Sequence, residues 1–152
     1  MEKKNKIPFP QANDFEKVIM ILNINNEANL KKKSVISMIL GDVEYRQVQY
    51  YVSALIYLGL ATKEKTFSEK GKYIRTLGYS EQIIELAKLI VSKDVFGTAY
   101  FTEQFLKIKL DVDDVVQIMK IYVDFDSNST YKRRAQTVIS WLEWINNKKK
   151  DL

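Results

Sequence analysis

YRQVQYYVSALIYLGL, residues 45–60, carries two different stripes when wound at helical spacing. Val48, Val52, Leu55 and Leu58 fall on one, an apolar stripe that seats a helix on a core. Arg46, Gln49, Tyr50, Ser53 and Tyr57 fall on the other, which offers a guanidinium, a carboxamide and hydroxyls to something outside. Gly59 stands where a helix C-terminus favours a left-handed residue. Upstream, residues 33–40 (KSVISMIL) read as a shorter helix stopped by Gly41-Asp42. Downstream, residues 61–67 (ATKEKTF) read as a strand, a charged turn and a second short strand, with a helix over 70–76 packed behind them. Short helix, tight turn, longer helix, β-wing: that order is a winged helix-turn-helix.

Outward from this unit the chain reads as further helices. Residues 1–13 form a basic arm with three lysines, kept out of helix by Pro8 and Pro10 and pinned to the body by Ile7 and Phe9. Asp14 is placed to N-cap a helix over 15–22, whose apolar face is Phe15, Val18, Ile19 and Leu22. Residues 23–33 are polar and asparagine-rich, hence a loop or a ragged helix start. Beyond the wing, residues 81–92 are apolar on most faces, which predicts a central helix. Residues 93–97 break it, and 99–107 follow as an amphipathic helix. Asp111 or Asp113 caps a short helix to 120. A polar loop over 124–128 then leads to a long helix over 131–146, with Ser129-Thr130 as its N-cap and a frayed, lysine-rich tail.

The last helix repeats the one at residue 45. At one constant offset Arg46 meets Arg133, Gln49 meets Gln136, Ser53 meets Ser140 and Leu55 meets Leu142. Val48 meets Ala135, Val52 meets Ile139, Tyr57 meets Trp144 and Leu58 meets Ile145, so both stripes are retained. Each copy follows a short apolar helix. The expected fold is therefore mostly α, a tandem (winged) helix-turn-helix with a small β-wing in the first unit only. Its parts are a basic arm (1–13), the winged unit (14–79), a second helix-turn-helix-like unit (80–147) and a basic tail (148–152).

Composition narrows the chemistry. No apolar run approaches the roughly 18 residues of a membrane-spanning helix, and the N-terminus lacks the apolar core of a secretion signal. The absence of cysteine removes disulfides and thiolate chemistry and suits a cytoplasmic protein. The absence of histidine removes the commonest general base, the commonest transition-metal ligand and every Ser-His nucleophile pair. A net charge of +5 favours an anionic partner such as nucleic acid.

Four runs carry a family resemblance: NDFEKVI, then YRQVQYYVSALIYLGL, then FSEKGK, then STYKRRAQTVISWLEWI. Together they are similar to winged-helix modules that accompany type II restriction endonucleases. The matching positions are Arg46-Gln47, Tyr50-Tyr51, Ser129-Thr130, Arg133-Arg134, Thr137-Val138 and Ser140-Trp141. The resemblance spans most of the chain, from about Pro8 to Ile145. It implies a DNA-binding or target-recognition module of a restriction-modification system, not a chain that itself cuts DNA. The residues agree. A metal-dependent nuclease commonly needs a carboxylate and, further on, an acidic-x-Lys pair. The one Glu-x-Lys here is Glu2-Lys3-Lys4, in the arm, with no acidic residue before it. Asp111, Asp113, Asp114, Asp124 and Asp126 could bind a hard cation, but their spacing fits no cation loop, and helix capping uses Asp113 and Asp114 more simply. No catalytic residue, metal site or cofactor is expected.

The function read here is double-stranded DNA binding. Arg46 and Gln49 are the candidates for base edges, since Arg suits guanine and Gln adenine. Gln47, Tyr50 and Ser53 support them or reach the backbone. Lys63 and Lys65 on the wing, with Lys132, Arg133 and Arg134, hold phosphates. The Lys132–Arg134 cluster has a second reading as a set of partners for Asp124 or Asp126, because cations in a first helical turn oppose the helix dipole. Lys31-Lys32-Lys33 is placed to cross a DNA backbone, and is equally a solvated loop. The rival function is a protein-interaction module that docks a nuclease subunit or a second copy, with Tyr50, Tyr57, Trp141 and Trp144 as anchors. Trp141 and Trp144 read more simply as core or interface residues than as platforms for stacked bases. A transcription regulator is a variant of the DNA reading.

Overall fold

The computed structural model describes residues 7–152. The described residues form eight α-helices and divide into two compact units, one ending at Leu77 and the other beginning at Gly78. The lysines of the arm and the Glu2-Lys3-Lys4 run lie outside the described residues.

In the first unit, α1 (Phe15–Leu22) and α2 (Lys33–Ile39) both pack on α3 (Tyr45–Tyr57). Asp14 caps α1 through a 3.1 Å bond from the Glu16 amide. Phe15, Val18, Ile21 and Leu22 face inward, and the inward position is Ile21 where Ile19 was expected. Between α1 and α2 the asparagine-rich segment winds a single 3-10 stretch (Glu27–Lys31) that buries Leu30. In the arm, Phe9 is the pin: its ring sits 5.8 Å from that of Tyr57, whereas Ile7 is exposed.

Helices α2 and α3 end in the same way. Past α2, the Asp42 amide reaches back to Ser37 O (2.8 Å) and the Gly41 amide to Met38 O (3.1 Å). Past α3, Leu60 N bonds Leu55 O (2.9 Å) and Gly59 N bonds Ile56 O (3.0 Å). Both are paired C-terminal closures that need a left-handed residue, supplied by Gly41 (φ +94°) and Gly59 (φ +76°). Ser37 adds a 2.5 Å bond from its Oγ to Val43 O, which locks the turn into α3.

The wing is not formed as expected: no β-strand occurs among the described residues. One isolated antiparallel bridge, Ala61↔Phe67, closes a tight loop. Inside it Thr62 N bonds Thr66 O (2.7 Å) and Lys65 N bonds Thr62 O (2.9 Å), with Lys65 at φ +63°. That is a turn followed by a left-handed residue, a three-residue hairpin loop. Its flanks are too short for strands because α4 (Glu69–Arg75) starts at once, capped by Ser68 Oγ accepting from Gly71 N at 3.0 Å. Arg75 of α4 donates to Leu22 O and lays its guanidinium over the Phe67 ring at 4.5 Å, tying α1, the hairpin and α4 together.

The second unit contains α5 (Tyr79–Val91), α6 (Asp94–Leu106), α7 (Val112–Tyr122) and α8 (Asn128–Asp151). The central helix is α8, which packs on α5, α6 and α7. Helix α5 was expected in that place, but it buries one face only and leaves Ile84 49% exposed. The break after α5 is just Ser92-Lys93, so α6 begins five residues earlier than its amphipathic pattern suggested and includes Gly97. A Cβ on Gly97 would lie 2.3 Å from Val91 O, which is why this tight helix junction needs glycine. Asp111 and Asp114 cap α7 reciprocally, each side chain taking the other's amide (2.8 and 3.1 Å). Two further expectations are corrected at α8. Its N-cap is Ser127, whose Oγ accepts from Thr130 N at 3.2 Å, so Ser129 and Thr130 lie inside the helix. The lysine-rich tail is helical to Asp151.

Candidate nucleic-acid interface

The apolar stripe of α3 does what its spacing predicts. Val48, Tyr51, Val52, Ala54 and Leu55 are buried, and Leu58 follows them inward. Arg46, Gln47 and Gln49 are therefore turned out and exposed, with Tyr50 and Ser53 half-exposed beside them. Arg46 is not loose. Its Nε donates to Tyr50 Oη at 2.9 Å, one helical turn on, and its Cζ lies 5.8 Å from the centre of that ring. The contact holds the guanidinium along the helix while its two terminal amino groups keep their donors for an outside acceptor.

The adjacent Tyr51 has the opposite role. It is buried, and its hydroxyl accepts from the Asp14 amide at 3.1 Å, so it staples α3 to the start of α1. Burial pushes its hydroxyl pKa above the ordinary tyrosine value, the Asp14 amide lowers it and the Asp14 charge raises it. Helical spacing puts Tyr50 on the outward stripe and Tyr51 beside Leu55 and Leu58; what spacing does not give is the Asp14 amide as the partner of Tyr51.

The supporting cations are spread around this unit. Lys31, Lys32 and Lys33 are exposed where the chain enters α2. Lys63 is exposed at the hairpin tip, and Lys65 is half-buried in the left-handed position behind it. These placements give unit 1 an exposed polar helix face and exposed lysines at both flanking turns.

In the second unit most residues equivalent to the α3 core stripe are also turned in: Ala135, Val138, Trp141, Leu142 and Ile145 are buried, whereas Ile139, the counterpart of Val52, is only half-buried. Arg133 and Gln136 are exposed, like Arg46 and Gln49. The aromatic side differs. Thr137 and Trp144 are buried where Tyr50 and Tyr57 are half-exposed. Trp141 is fully buried and stacks on Phe96 at 5.0 Å. The tryptophans are core residues, so neither anchors an outside partner.

The Lys132-Arg133-Arg134 cluster splits. Because α8 starts at Asn128, these cations lie in its second turn, where the helix dipole opposes them less. Lys132 and Arg133 are exposed and make no ion pair among the described residues; Arg133 Nη2 reaches Thr130 Oγ1 at 3.3 Å. Arg134 instead lies half-buried with its guanidinium 5.5 Å from the Phe125 ring centre. Phe125 packs edge-on to Tyr131 (5.1 Å). Tyr131 Oη donates to Val123 O (3.0 Å) and accepts from Phe125 N (3.2 Å). Tyr131 is thus the clasp of the α7–α8 loop, a role with no sequence signal beyond an aromatic beside a cap.

Among the described residues no three acidic side chains gather as a metal site requires. No helix there is long and apolar enough to cross a membrane.

The chain belongs to the family described as a domain of unknown function (DUF7226), which matches residues 17–150. No curated protein and no solved structure matches it.

Proposed function

We propose that this chain binds double-stranded DNA through tandem helix-turn-helix units and serves as a target-recognition or accessory module of a type II restriction-modification system. One observation carries the reading: Arg46, Gln49 and Tyr50 share the outward side of α3, with Arg46 braced by Tyr50, while the other side of the helix is sunk in the core. A braced guanidinium loses less rotamer freedom on binding than a free one, which suits it to the paired acceptors of a guanine edge.

In this mechanism α3 enters the major groove and α2 crosses the backbone, with Lys31, Lys32 and Lys33 near phosphates. The short hairpin stands in for a wing and brings Lys63 to the flanking backbone. In the second unit α7 and α8 repeat the arrangement, with Lys132 and Arg133 on phosphates and Gln136 in the place of Gln49. Arg134 supports the loop before α8 rather than touching DNA. Cleavage belongs to a partner nuclease, and no catalytic role is assigned here.

Anisotropy of a labelled random-sequence duplex across a salt series tests this. Binding should weaken steeply with salt. Lys132→Ala/Arg133→Ala should reduce the logarithmic slope by about 2, since each phosphate contact contributes about 0.9. Absence of binding at low salt refutes DNA binding by this chain. The interaction-module reading draws on a different observation: large apolar side chains stand exposed on α6 and α7.

A further inference from the structure

Helix α6 presents Phe101 and Phe105 one turn apart, stacked at 5.6 Å, and they are 65% and 72% exposed. Helix α7 packs against α6 and carries Ile121 and Tyr122, 71% and 42% exposed. A 2.8 Å hydrogen bond between Thr98 Oγ1 and Tyr122 Oη ties the two helices at that edge. These side chains are not core residues left ragged. Both helices bury a separate stripe: Val95, Phe96 and Ala99 on α6, and Val115, Val116 and Met119 on α7. The unit therefore has its core and, beside it, a second apolar face.

We infer that this α6–α7 face is the interface through which two copies of the chain pair about a two-fold axis. Area supports a second copy as the occupant. A whole aromatic side chain offers about 150–250 Å², so the exposed parts of the four residues come to about 500 Å² on each copy. Two such faces bury roughly 1,000 Å² of apolar surface, and interfaces are about 60% apolar. The total then reaches about 1,600 Å², the standard size of a specific complex. Closed two-fold pairing of one patch with itself is also the commonest way soluble chains associate.

Charge points the same way. The chain's net charge is positive, and three of its lysines, Lys148, Lys149 and Lys150, sit at the end of α8. At helical spacing Asp94 lies two turns before Phe101 and Asp114 two turns before Ile121, and Lys107 closes α6 just past Phe105, all exposed, so both signs border the apolar face. A face of mixed sign matches itself. It selects neither an acidic nor a basic foreign partner.

The test is sedimentation equilibrium of the intact chain over a concentration series without DNA, beside Phe105→Lys/Ile121→Lys and a comparator, Ile84→Lys. Ile84 is an exposed apolar residue on a different helix, α5. The parent and the comparator should approach twice 17.8 kDa as concentration rises. The double variant should dissociate at least about tenfold more readily with unchanged circular dichroism. A milder variant, Phe101→Gln, should shift the equilibrium in the same direction. A monomer at every concentration overturns the proposal, and so does a dimer that survives the double substitution. The DNA reading is untouched by either outcome, since it is measured separately.

Discussion

Gly71 lies in the first turns of α4, and replacing it by alanine sets two effects against each other. Helix propensity favours alanine by about 1 kcal/mol. The structure opposes it: a Cβ there would sit 2.0 Å from Leu60 O, 3.0 Å from Leu60 C and 3.3 Å from Leu60 Cα. The oxygen contact is on the order of 1 Å inside van der Waals separation, and it is with backbone. Leu60 cannot retreat. Its amide is bonded to Leu55 O at 2.9 Å, its carbonyl accepts from Ser68 N at 3.0 Å and its side chain is fully buried. Overpacking of this kind costs up to about 3 kcal/mol, so the net effect is a loss of about 2 kcal/mol. For a unit of this size each kcal/mol moves the midpoint by about 4–8 °C, so the transition of the first unit should fall by roughly 10 °C. Scanning calorimetry of the parent and the variant side by side reads it directly. A Gly71→Ala protein that melts at or above the parent's midpoint would refute the packing of α4 against the hairpin. It would also remove the reason for the abrupt end of the wing.

Three other outcomes follow from the same geometry, besides the dimer test. Tyr51→Phe leaves the Asp14 amide without its acceptor and should cost about 1 kcal/mol near neutral pH, read by denaturant titration. Because burial raises the Tyr51 pKa above its unfolded value, its contribution is complete below that unfolded value, near 10, and is lost as pH climbs through the raised one. The gap between parent and variant should therefore close in alkali; a gap that widens there contradicts the assignment. Ser127→Ala removes the cap of α8 and should cost about 1 kcal/mol, whereas Ser129→Ala should be close to silent. Arg46→Ala should weaken binding to a selected duplex by about 1–3 kcal/mol, with a smaller change in salt slope than Lys132→Ala/Arg133→Ala produces.

The helices and the inward stripe of α3 were determined by local sequence, and those of α1 and α8 but for Ile19 and Ile139: periodic apolar residues, aspartate caps, and glycines where the chain turns left-handed. The exposed row on α3 followed as the complement of its buried stripe. Features that depend on what stands opposite were not legible. Spacing turns Tyr50 outward and Tyr51 inward, but nothing local shows that Tyr51 accepts from a backbone amide 37 residues away. Nor does the alternating TKEKT run reveal that α4 starts too soon for strands to grow. Helix α5 reads as more apolar than α8, yet α8 is central, because three helices surround it and only one face of α5 finds partners. Phe101 and Phe105 read as an apolar helix face, and such a face is ordinarily covered. Burial is a relation between elements, so only the tertiary structure could decide that this one is left open.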